Sequence, residues 1–590
     1  MTRRSLEAEV VVAGGGLAGV CAAISAARSG ADVILIHDRP MLGGNTSSEV
    51  RVHATGADCS GGRPHAREGG IIEEIRLEEA VRNPQRSNSV WDLVLEEWVR
   101  RESVRLLLNT SVTSAAMNSD RCIGHVAAVR PWTEEDFTIG GEFFIDCTGD
   151  GRVGFEAGAD FRIGREGPEE FDEPDAEGPD DKTMGCSLMW IAEDLGHPVE
   201  FKPPSWARKF ESEEDLPFRG HTELRHGHWW IEWGGELDMI KDQDQIRREL
   251  LACLFGVWDH LKNHGDHGAE NWALRWFGVL PAKRESRRLM GPTILTENDI
   301  LEQTLFADRV THGGWSIDTH PPKGIYSPER PSWHRKSEDV YSIPLSSLYS
   351  RNVPNLFMAG RCASCTHMAM GSTRVAATAA AMGQAVGVAA ARCSDHLCLP
   401  RDLSEDDIAQ IQQDLLRADH FIPELPNEDP ADFAREATVT ASSHEAGHEP
   451  QKVLSGTTRR RGDEVHQWAS DAGVALPQSL ELRWDGPREL SMLQIVFDTG
   501  FERPLTLTHS DAFNKRIVRG PQPECVRDYR IEVECRDGWV EAARVSGNYQ
   551  RRRVHRFECI TASAVRITCD ATNGDPQARI FEVRAYDQRH

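Results

Sequence analysis

The sequence has no long apolar run and is short of positive charge. Its nearest approach to a membrane span, 375–391, is mostly Ala and Gly and contains Gln384, so we predict a closely packed buried helix and no membrane association. Its 67 Lys and Arg face 93 Asp and Glu, for a net charge of −26, which argues against a nucleic-acid partner. The first ten residues lack the apolar core of a secretory signal, and we expect a cytoplasmic protein.

Cysteine is present without a metal-binding pattern. The 14 cysteines are scattered and lack the spacing of metal ligands, which is typical of reduced thiols and predicts no metal site. One C-x-x-C pair, Cys362 and Cys365, is a candidate redox dithiol, although cysteine is also common in buried turns. At 590 residues the chain is too long for one core and predicts two to four domains.

The stretch 9–44 has the order of a dinucleotide-binding βαβ unit. Three valines, 10–12, form a short strand of the kind buried in parallel sheets. Gly14 permits the tight turn, Gly16 lets the backbone approach a diphosphate, and Gly19 lets the next helix pack on the strand. Leu17 and Ala18 lie in the first helical turn, whose free N–H groups favour an anion.

The second strand, 33–36, is expected to end beside the ribose of the nucleotide. A carboxylate usually accepts the ribose hydroxyls there, and Asp38 is the candidate. His37 occupies the usual place of the acid, so either the acid is displaced by one residue or His37 shares the contact. We assign His37, Asp38 and the adjacent Arg39 to this end of the cofactor.

Two further turns favour FAD over a nicotinamide cofactor. A polar glycine loop follows the second strand, and FAD in its extended form would run past it; the alternative is an ordinary surface loop. A buried strand then ends in T-G-D-G, which places backbone N–H groups and a carboxylate near the diphosphate and ribityl chain. The assigned residues are Gly43, Gly44, Asn45, Thr46, Ser47 and Ser48 in the loop, and Thr148, Gly149 and Asp150 in the turn.

The middle of the chain is rich in tryptophan and histidine. Ten of the 16 tryptophans lie between 151 and 350. Tryptophan faces stack on sugar C–H groups and polar side chains bind hydroxyls, so the mixture suits a carbohydrate, although buried tryptophan is more often core. The charged cluster PAKRESRR, 281–288, indicates ion pairs lining a cleft. The stretch 312–322 is expected to be a loop presenting His312 or His320 to substrate.

The stretch 355–392 is predicted to return to the nucleotide domain as a strand, a turn at Gly360 and Arg361, and a long helix over 371–391 that begins with Gly371 and Ser372. His367 lies between strand and helix, where a flavin ring would sit.

After a proline-rich linker, 423–430, strands alternate with turns and predict an antiparallel β-sandwich. The fold class is therefore α/β followed by all-β, with four segments: a first FAD-binding part over 6–165, an inserted α+β substrate or cap domain over 166–350, a return segment over 351–422 and the sandwich over 432–590.

The first part of the chain resembles the FAD-dependent oxidoreductases of glutathione-reductase-like fold. The matching pieces are AGGGLAG, HDRPMLGGNTSSEVR, DCTGDG, PAKRESRR, GGWSIDTHPP and NLFMAGRCASCTHMAMGSTR, spread over 9–391. This resemblance implies covalent or non-covalent FAD and hydride transfer, with no defined substrate. The tail resembles the discoidin, or F5/8 type C, galactose-binding-like sandwich over 529–539 and in CDATNGDPQARIFEVRAY.

These patterns predict an FAD-dependent enzyme that oxidises an alcohol carbon of a sugar or glycoside by hydride transfer to flavin N5. His367, His320 or His312 would take the hydroxyl proton. Arg361 or Arg374 would stabilise negative charge on the reduced flavin or orient a substrate oxygen. The alternatives are a flavin-dependent reductase of an activated C=C bond in a carboxylate substrate, a dithiol redox enzyme using the C-x-x-C pair, and a glycan-binding flavoprotein without catalysis. The sequence leaves the electron acceptor and the oligomeric state open.

Overall fold

The fold was analysed in a computed structural model that describes residues 2–57, 63–119 and 121–587. No helix within these ranges is both long and apolar enough to cross a membrane. The helices, numbered along the chain, are α1 Leu17–Arg28, α2 Ile71–Arg82, α3 Asn88–Arg101, α4 Arg152–Glu156, α5 Pro168–Phe171, α6 Gln243–Asn263, α7 Glu297–Glu302, α8 His367–Thr373, α9 Ala376–His396, α10 Glu405–Arg417 and α11 Asp511–Asn514.

The strands fall into a mixed α/β part and an all-β tail. In the first part they are β1 Thr2–Ala13, β2 Val33–Ile36, β3 Arg105–Leu107, β4 Ser111–Met117, β5 Ile123–Arg130, β6 Glu135–Asp146, β7 Phe161–Arg162, β8 Cys186–Ser187, β9 Trp190–Asp194, β10 Glu232–Trp233, β11 Trp272–Phe277, β12 Arg288–Leu289, β13 Arg309–Gly313, β14 Ile317–Thr319, β15 Trp333–Arg335, β16 Tyr341–Pro344 and β17 Leu356–Met358. In the tail they are β18 Thr438–Ala441, β19 Trp468–Ala469, β20 Gln478–Phe497, β21 Val526–Cys535, β22 Gly538–Val545, β23 Arg552–Thr572 and β24 Arg579–Tyr586.

The chain divides into two compact units. The first comprises Met1–Ser60, Arg86–Ile411 and Leu507–Lys515, and the second comprises Gly61–Gln85, Gln412–Thr506 and Arg516–His590. The limits of the two units differ from those of the four predicted segments, because residues 61–85 group with the sandwich and not with the nucleotide-binding part. The segment limits themselves stay predictions.

The first unit is built on a seven-stranded sheet with the order β3-β2-β1-β6-β5-β4, in which β17 also pairs with β6. β1 lies parallel to β2 and β6, and β17 lies parallel to β6. The apolar run predicted as a buried strand, 10–12, is 0–1% exposed at the centre of this sheet, as expected for a parallel strand covered on both faces.

The helix predicted over 371–391 is wrong in its extent. The structure has two helices there, α8 and α9, separated at Arg374 and Val375. Val375 has extended backbone angles of φ −65° and ψ 146°, and Arg374 donates to the carbonyl oxygen of Asp318 at 3.0 Å. The remaining helix, α9, is buried as predicted and packs closely on α1. A Cβ on Gly383 of α9 would lie 2.0 Å from the backbone oxygen of Ala18, so only glycine allows this approach.

Between 151 and 350 the chain forms five short two-stranded pairings and the long helix α6. One apolar cluster joins α6 to the tryptophan-rich segments; Trp190, Trp230 and Trp258 are at most 4% exposed in it. Burial explains these three tryptophans as core. The predicted role of an inserted substrate domain stays a proposal.

The second unit contains the antiparallel β-sandwich predicted for the tail. Its strand order is β19-β24-β20-β23-β21-β22, with β18 also paired to β20. In β20, Leu480, Leu482 and Trp484 are buried at every second position, which is the period of a strand with one face in a core. Residues 61–85 join this unit through Arg67, which is fully buried, pairs with Glu73 at 2.8 Å and donates to the Thr499 carbonyl at 3.1 Å.

Candidate active site

The carboxyl ends of four parallel strands meet at one edge of the main sheet. Ala13 of β1 pairs with Ile36 of β2 and with Asp146 of β6, and Met358 of β17 also pairs with Asp146. Each strand then enters a predicted cofactor turn. The turns 14–19, 37–39, 147–150 and 360–361 therefore lie along this edge, which is where open α/β sheets bind their ligands.

The first glycine turn fits a diphosphate. Gly14 has φ +101°, and a Cβ there would lie 2.2 Å from the backbone oxygen of Cys147. A Cβ on Gly19 would lie 1.7 Å from the oxygen of Gly14, whereas one on Gly16 would meet no heavy atom within 4 Å. No side chain caps the N-terminus of α1, whose first residues are Leu17 and Ala18. Open space in front of uncapped helix amides is suited to an anion.

At the end of β2, the His37 ring is hydrogen-bonded within the protein, whereas the Asp38 carboxylate is exposed. His37 Nδ1 accepts a hydrogen bond from the Gly15 N–H at 2.9 Å, whereas its buried Nε2 has no hydrogen-bond partner. Burial lowers the pKa of His37, so the ring is neutral with its proton on Nε2. Asp38 is 55% exposed and lies 3.5 Å from His37 Nδ1, and Arg39 lies 3.9 Å from Asp38. The exposed Asp38 carboxylate suits a ribose, and a contact shared with His37 stays a prediction.

The second glycine loop lies against the first. The Gly43 N–H donates to the Gly15 carbonyl at 2.8 Å, and a Cβ on Gly44 would lie 3.1 Å from Gly16 Cα. Gly43 and Gly44 have φ of +108° and +55°, which explains the glycine pair. The loop is thus a part of the same edge.

The polar side chains of this loop are mostly engaged within the protein. Asn45 Nδ2 donates to the Lys283 carbonyl at 3.0 Å, and Trp91 donates to the Thr46 hydroxyl at 3.1 Å. The Ser48 N–H donates to Asp92 at 3.1 Å, and Ser47 is buried. The Asn45 and Thr46 side chains thus help to hold the loop. Direct bonds from any of the four side chains to the cofactor stay predictions.

Asp150 and Arg361 form an ion pair that connects the turn after β6 with the turn after β17. Asp150 binds Lys283 Nζ at 2.5 Å, Ser286 Oγ at 2.8 Å and Arg361 Nη2 at 3.0 Å. Burial alone would raise the pKa of Asp150, but the charges of Arg361 and Lys283 hold it below its usual value. Arg361 also donates from Nε to the Gly149 carbonyl at 2.9 Å and from Nη1 to the Lys283 carbonyl at 2.8 Å. Two of its nitrogens thus hold the turn that contains Thr148 and the third holds the segment of Lys283. The predicted contact of Arg361 with flavin or substrate stays a prediction.

His367 forms a buried pair with an acid. It is the first residue of α8, and its Nδ1 lies 2.9 Å from Glu285 Oε2. Glu285 is fully buried, and although burial acts to raise its pKa, His367 and Arg288 hold that pKa below its usual value. The backbone N–H of His367 donates to Glu166 at 2.7 Å. The ionised Glu285 thus orients the imidazole with Nδ1 as donor and Nε2 as acceptor.

His320 lies between two acids. Its Nδ1 is 2.8 Å from Glu232 Oε2, and its Nε2 is 3.3 Å from Asp318 Oδ1 without the alignment of a hydrogen bond. Arg374 binds Asp318 at 3.1 Å. Burial would raise the pKa of Asp318, but the charges of His320 and Arg374 hold it far below its usual value. Arg374 also interacts electrostatically with Glu232 and Glu285, so this group and the His367 pair are electrostatically linked through one buried arginine.

The stretch 312–322 is not the flexible loop we expected. His312 lies in β13, opposite Ser342 of β16, and is 1% exposed. Residues 317–319 form β14, which pairs with β15. α8 packs against this strand: a Cβ on Gly371 would lie 2.9 Å from the Asp318 nitrogen, and Ser372 Oγ donates to the Trp315 carbonyl at 2.5 Å. Gly371 and Ser372 therefore hold α8 on β14, and contact with the cofactor stays a prediction.

The C-x-x-C pair lacks the chemistry of a redox dithiol. Both sulfurs are buried and free. Burial raises the pKa of Cys362 well above its usual value and raises that of Cys365 to about 12. Because the thiolate is the reactive form, these raised pKa values weigh against a redox role for either residue near neutral pH.

The two acids that orient the histidines were not assigned roles from the sequence. Glu285 lies within the charged cluster 281–288 that we predicted to line a cleft, which was a usable signal. Glu232 follows two tryptophans in a stretch without a charge pattern. It is 88 residues from His320, and no local pattern connects them.

The family follows from comparison with known proteins. Residues 9–415 match the model of the family described as FAD dependent oxidoreductase. This match covers more than half of the chain, so the protein belongs to that family, as its motifs predicted. It is an FAD-dependent oxidoreductase, FAD is its cofactor, and the glycine turns at the sheet edge fit the diphosphate of that cofactor.

Similar solved structures are sugar-binding modules. One is the family 32 module from C. perfringens NanJ in complex with galactose, with 19% identity, 26% of this chain and 96% of that chain covered, and a TM-score of 0.19. Another is the family 32 carbohydrate-binding module from Streptococcus pneumoniae EndoD, with 21% identity, 27% and 99% covered, and a TM-score of 0.21. These scores carry no conclusion about function. No curated protein matches the chain.

Proposed function

We propose that this flavoenzyme oxidises an alcohol carbon of a sugar or glycoside, with His367 as the base that takes the hydroxyl proton. The observation that carries the proposal is the buried His367–Glu285 pair, with Nδ1 and Oε2 2.9 Å apart. FAD supplies the hydride acceptor. The protein must then supply a proton acceptor, because an alcohol loses a hydride and a proton in becoming a carbonyl.

The pair has the properties of a general base. Glu285 accepts the Nδ1 proton, so the lone pair of His367 is on Nε2 and points away from this bond. When Nε2 takes a proton the ring becomes a cation, and the adjacent carboxylate stabilises it. Arg288, which is fully buried, binds Glu166 at 3.0 Å and lies 3.7 Å from Glu285. This second ion pair fixes Glu285 and thereby the ring.

A sugar as the substrate is supported by the surroundings of His320. Trp229 is 36% exposed, and its ring centroid lies 5.4 Å from that of His320. A half-exposed indole beside a polar group suits the apolar face and the hydroxyls of a sugar ring. Glu232 and Asp318 add carboxylates at the same place.

The engaged arginines weigh against a reductase of C=C bonds. That reaction needs an arginine to bind the substrate carboxylate. Arg361 already donates from three nitrogens, and Arg374 is bound to Asp318. A flavoprotein without catalysis would leave the His367–Glu285 pair without a role.

Anaerobic mixing with candidate substrates tests the proposal. The purified enzyme with FAD is mixed without oxygen with a panel of sugars, glycosides and their deoxy analogues, and flavin absorbance is followed. We expect bleaching by at least one sugar and none by the analogue that lacks the reacting hydroxyl. In the reverse arm, reduced enzyme is mixed with unsaturated carboxylates. Reoxidation there, with no bleaching by any sugar, would contradict the proposal and favour the reductase.

A further inference from the structure

Four metal-binding side chains converge away from the cofactor edge. Glu213, His221, His260 and His267 each place one ligand atom so that all four lie within 4.8 Å of one another. Glu213 lies in a short 3-10 helix, His260 near the end of α6, and His267 in the turn that follows it. The residues are separated by 8, 39 and 7 positions, so they form a cluster only in the folded chain. Cysteine spacing, from which we predict no metal site, does not detect ligands of this kind.

Backbone carbonyls fix two of the imidazoles with Nε2 facing the cluster. His221 Nδ1 lies 2.7 Å from the Arg219 carbonyl oxygen, and His260 Nδ1 lies 2.9 Å from that of Phe210. Each Nδ1 is therefore the donor, and the lone pair is on Nε2. A carbonyl on the far nitrogen is the usual support of a metal-bound histidine. His260 is 1% exposed and its Nε2 has no hydrogen-bond partner, which leaves a buried lone pair directed into the cluster.

The distances from Glu213 to the three histidines are those expected around a tetrahedral zinc ion. Glu213 oxygens lie 3.2, 3.4 and 3.6 Å from Nε2 of His221, His260 and His267, respectively. Zinc bonds of about 2.0–2.1 Å place neighbouring ligand atoms of a tetrahedron about 3.4 Å apart. Imidazole and carboxylate are both zinc ligands, and four protein ligands define a structural site.

We propose that Glu213, His221, His260 and His267 bind one Zn²⁺ that ties the segment 210–221 to the end of α6. His267 Nε2 also lies 3.0 Å from the His264 carbonyl, so binding requires that this nitrogen exchange the carbonyl contact for the metal. The turn that carries His267 is already held in place by Lys262, whose Nζ donates to the Ala269 carbonyl at 2.7 Å. The role is independent of the proposed oxidation reaction.

Metal analysis of the full-length protein with its FAD tests the site. Protein from zinc-supplemented cells is gel-filtered and its metals are measured by mass spectrometry; we expect about one zinc per chain. After chelation, ZnCl₂ is titrated back in competition with a chromophoric chelator. Glu213→Gln and His267→Asn should each weaken zinc binding at least about tenfold. Anomalous scattering at the zinc edge locates the ion in crystals.

Matched controls separate ligand loss from misfolding. Glu214→Gln changes the exposed neighbour of Glu213, and His264→Asn changes a half-buried histidine of the same turn; both should keep the parent affinity. FAD content reports that every variant is folded. A parent protein that binds no zinc, as purified or at stoichiometric ZnCl₂, overturns the proposal. Equal affinity in the parent, Glu213→Gln and His267→Asn proteins overturns it as well.

Discussion

Two kinds of buried histidine in the first unit differ in the neighbours of their rings. His367 and His320 each place Nδ1 within 2.9 Å of a buried carboxylate. His228 is equally buried but is stacked on Trp190, with ring centroids 4.0 Å apart, and its Nδ1 has no hydrogen-bond partner. Burial lowers the pKa of His228 to about 3. An acid thus orients the ring of the first kind through Nδ1, whereas burial without an acidic partner keeps His228 neutral.

The two acid-paired histidines also differ from each other. His367 has its acid on Nδ1, which leaves Nε2 for a substrate proton. His320 has Glu232 at Nδ1 and Asp318 3.3 Å from Nε2, so both of its nitrogens face acids. For this reason we propose His367 before His320 as the base, and His320 as a residue that positions substrate or Trp229.

The largest expected effect comes from His367→Asn. Asparagine keeps a polar group of similar reach but cannot take the proton, so flavin reduction by a good sugar substrate should slow by roughly 10²- to 10⁴-fold. Stopped-flow absorbance measures the rate, and the flavin spectrum shows that FAD is still bound. Reduction at nearly the parent rate would show that His367 is not the base, and His320 would be tested next.

A smaller loss is expected for Glu285→Gln. Glutamine still bonds the ring but lacks the charge that stabilises its protonated form, so the rate should fall roughly 10- to 100-fold. The acid limb of the rate–pH profile should differ from that of the parent, because the imidazole has lost its charged partner. Glu166→Gln is the matched control, since Glu166 also binds Arg288 but contacts only the backbone of His367. A shift of the acid limb in both variants would show that Glu285 acts only through folding.

His320→Asn should have a weaker effect on the chemical step. If His320 positions substrate, kcat should fall less than about tenfold while KM rises. Steady-state kinetics with the best sugar from the anaerobic screen separates the two constants. A loss of kcat as large as that of His367→Asn, at unchanged KM, would reverse the ranking of the two histidines.

The nucleotide edge could be predicted from the sequence because its constraints are local. Gly19 is required by a backbone contact within its own turn, and Gly14 by its φ of +101° as well as by the distant backbone of Cys147. The strand and helix around them have their own apolar patterns. The family, the cofactor turns and the sheet edge therefore followed from a few short stretches.

The acid–histidine pairs could not be predicted in the same way. His367 and Glu285 are 82 residues apart, and no sequence pattern around either residue indicates that the two are in contact. The break at Arg374 also depends on a distant residue, Asp318, whose backbone accepts its guanidinium. Tertiary contacts determine the secondary structure at these places. Local periodicity therefore predicted one helix where the structure has two, and a loop where it has a strand.

The last prediction concerns stability and tests the other kind of histidine. The pKa of His228 is about 3 in the folded protein and about 6.5 in an unfolded chain. The unfolded state therefore binds more protons below pH 6.5, and stability is lost as the pH falls from there toward 3. At pH 5 this costs about 2 kcal/mol relative to pH 8.

His228→Phe keeps the ring on Trp190 and removes the titrating group, so the variant should lose less stability on acidification. Thermal unfolding at pH 8 and pH 5 measures the difference, and His197→Phe, at an exposed histidine, should behave as the parent does. An equal decrease of Tm in the parent and the His228 variant would show that His228 does not stay neutral in the folded protein. The distinction between the two kinds of histidine would then fail, because a ring without an acid would also hold a proton.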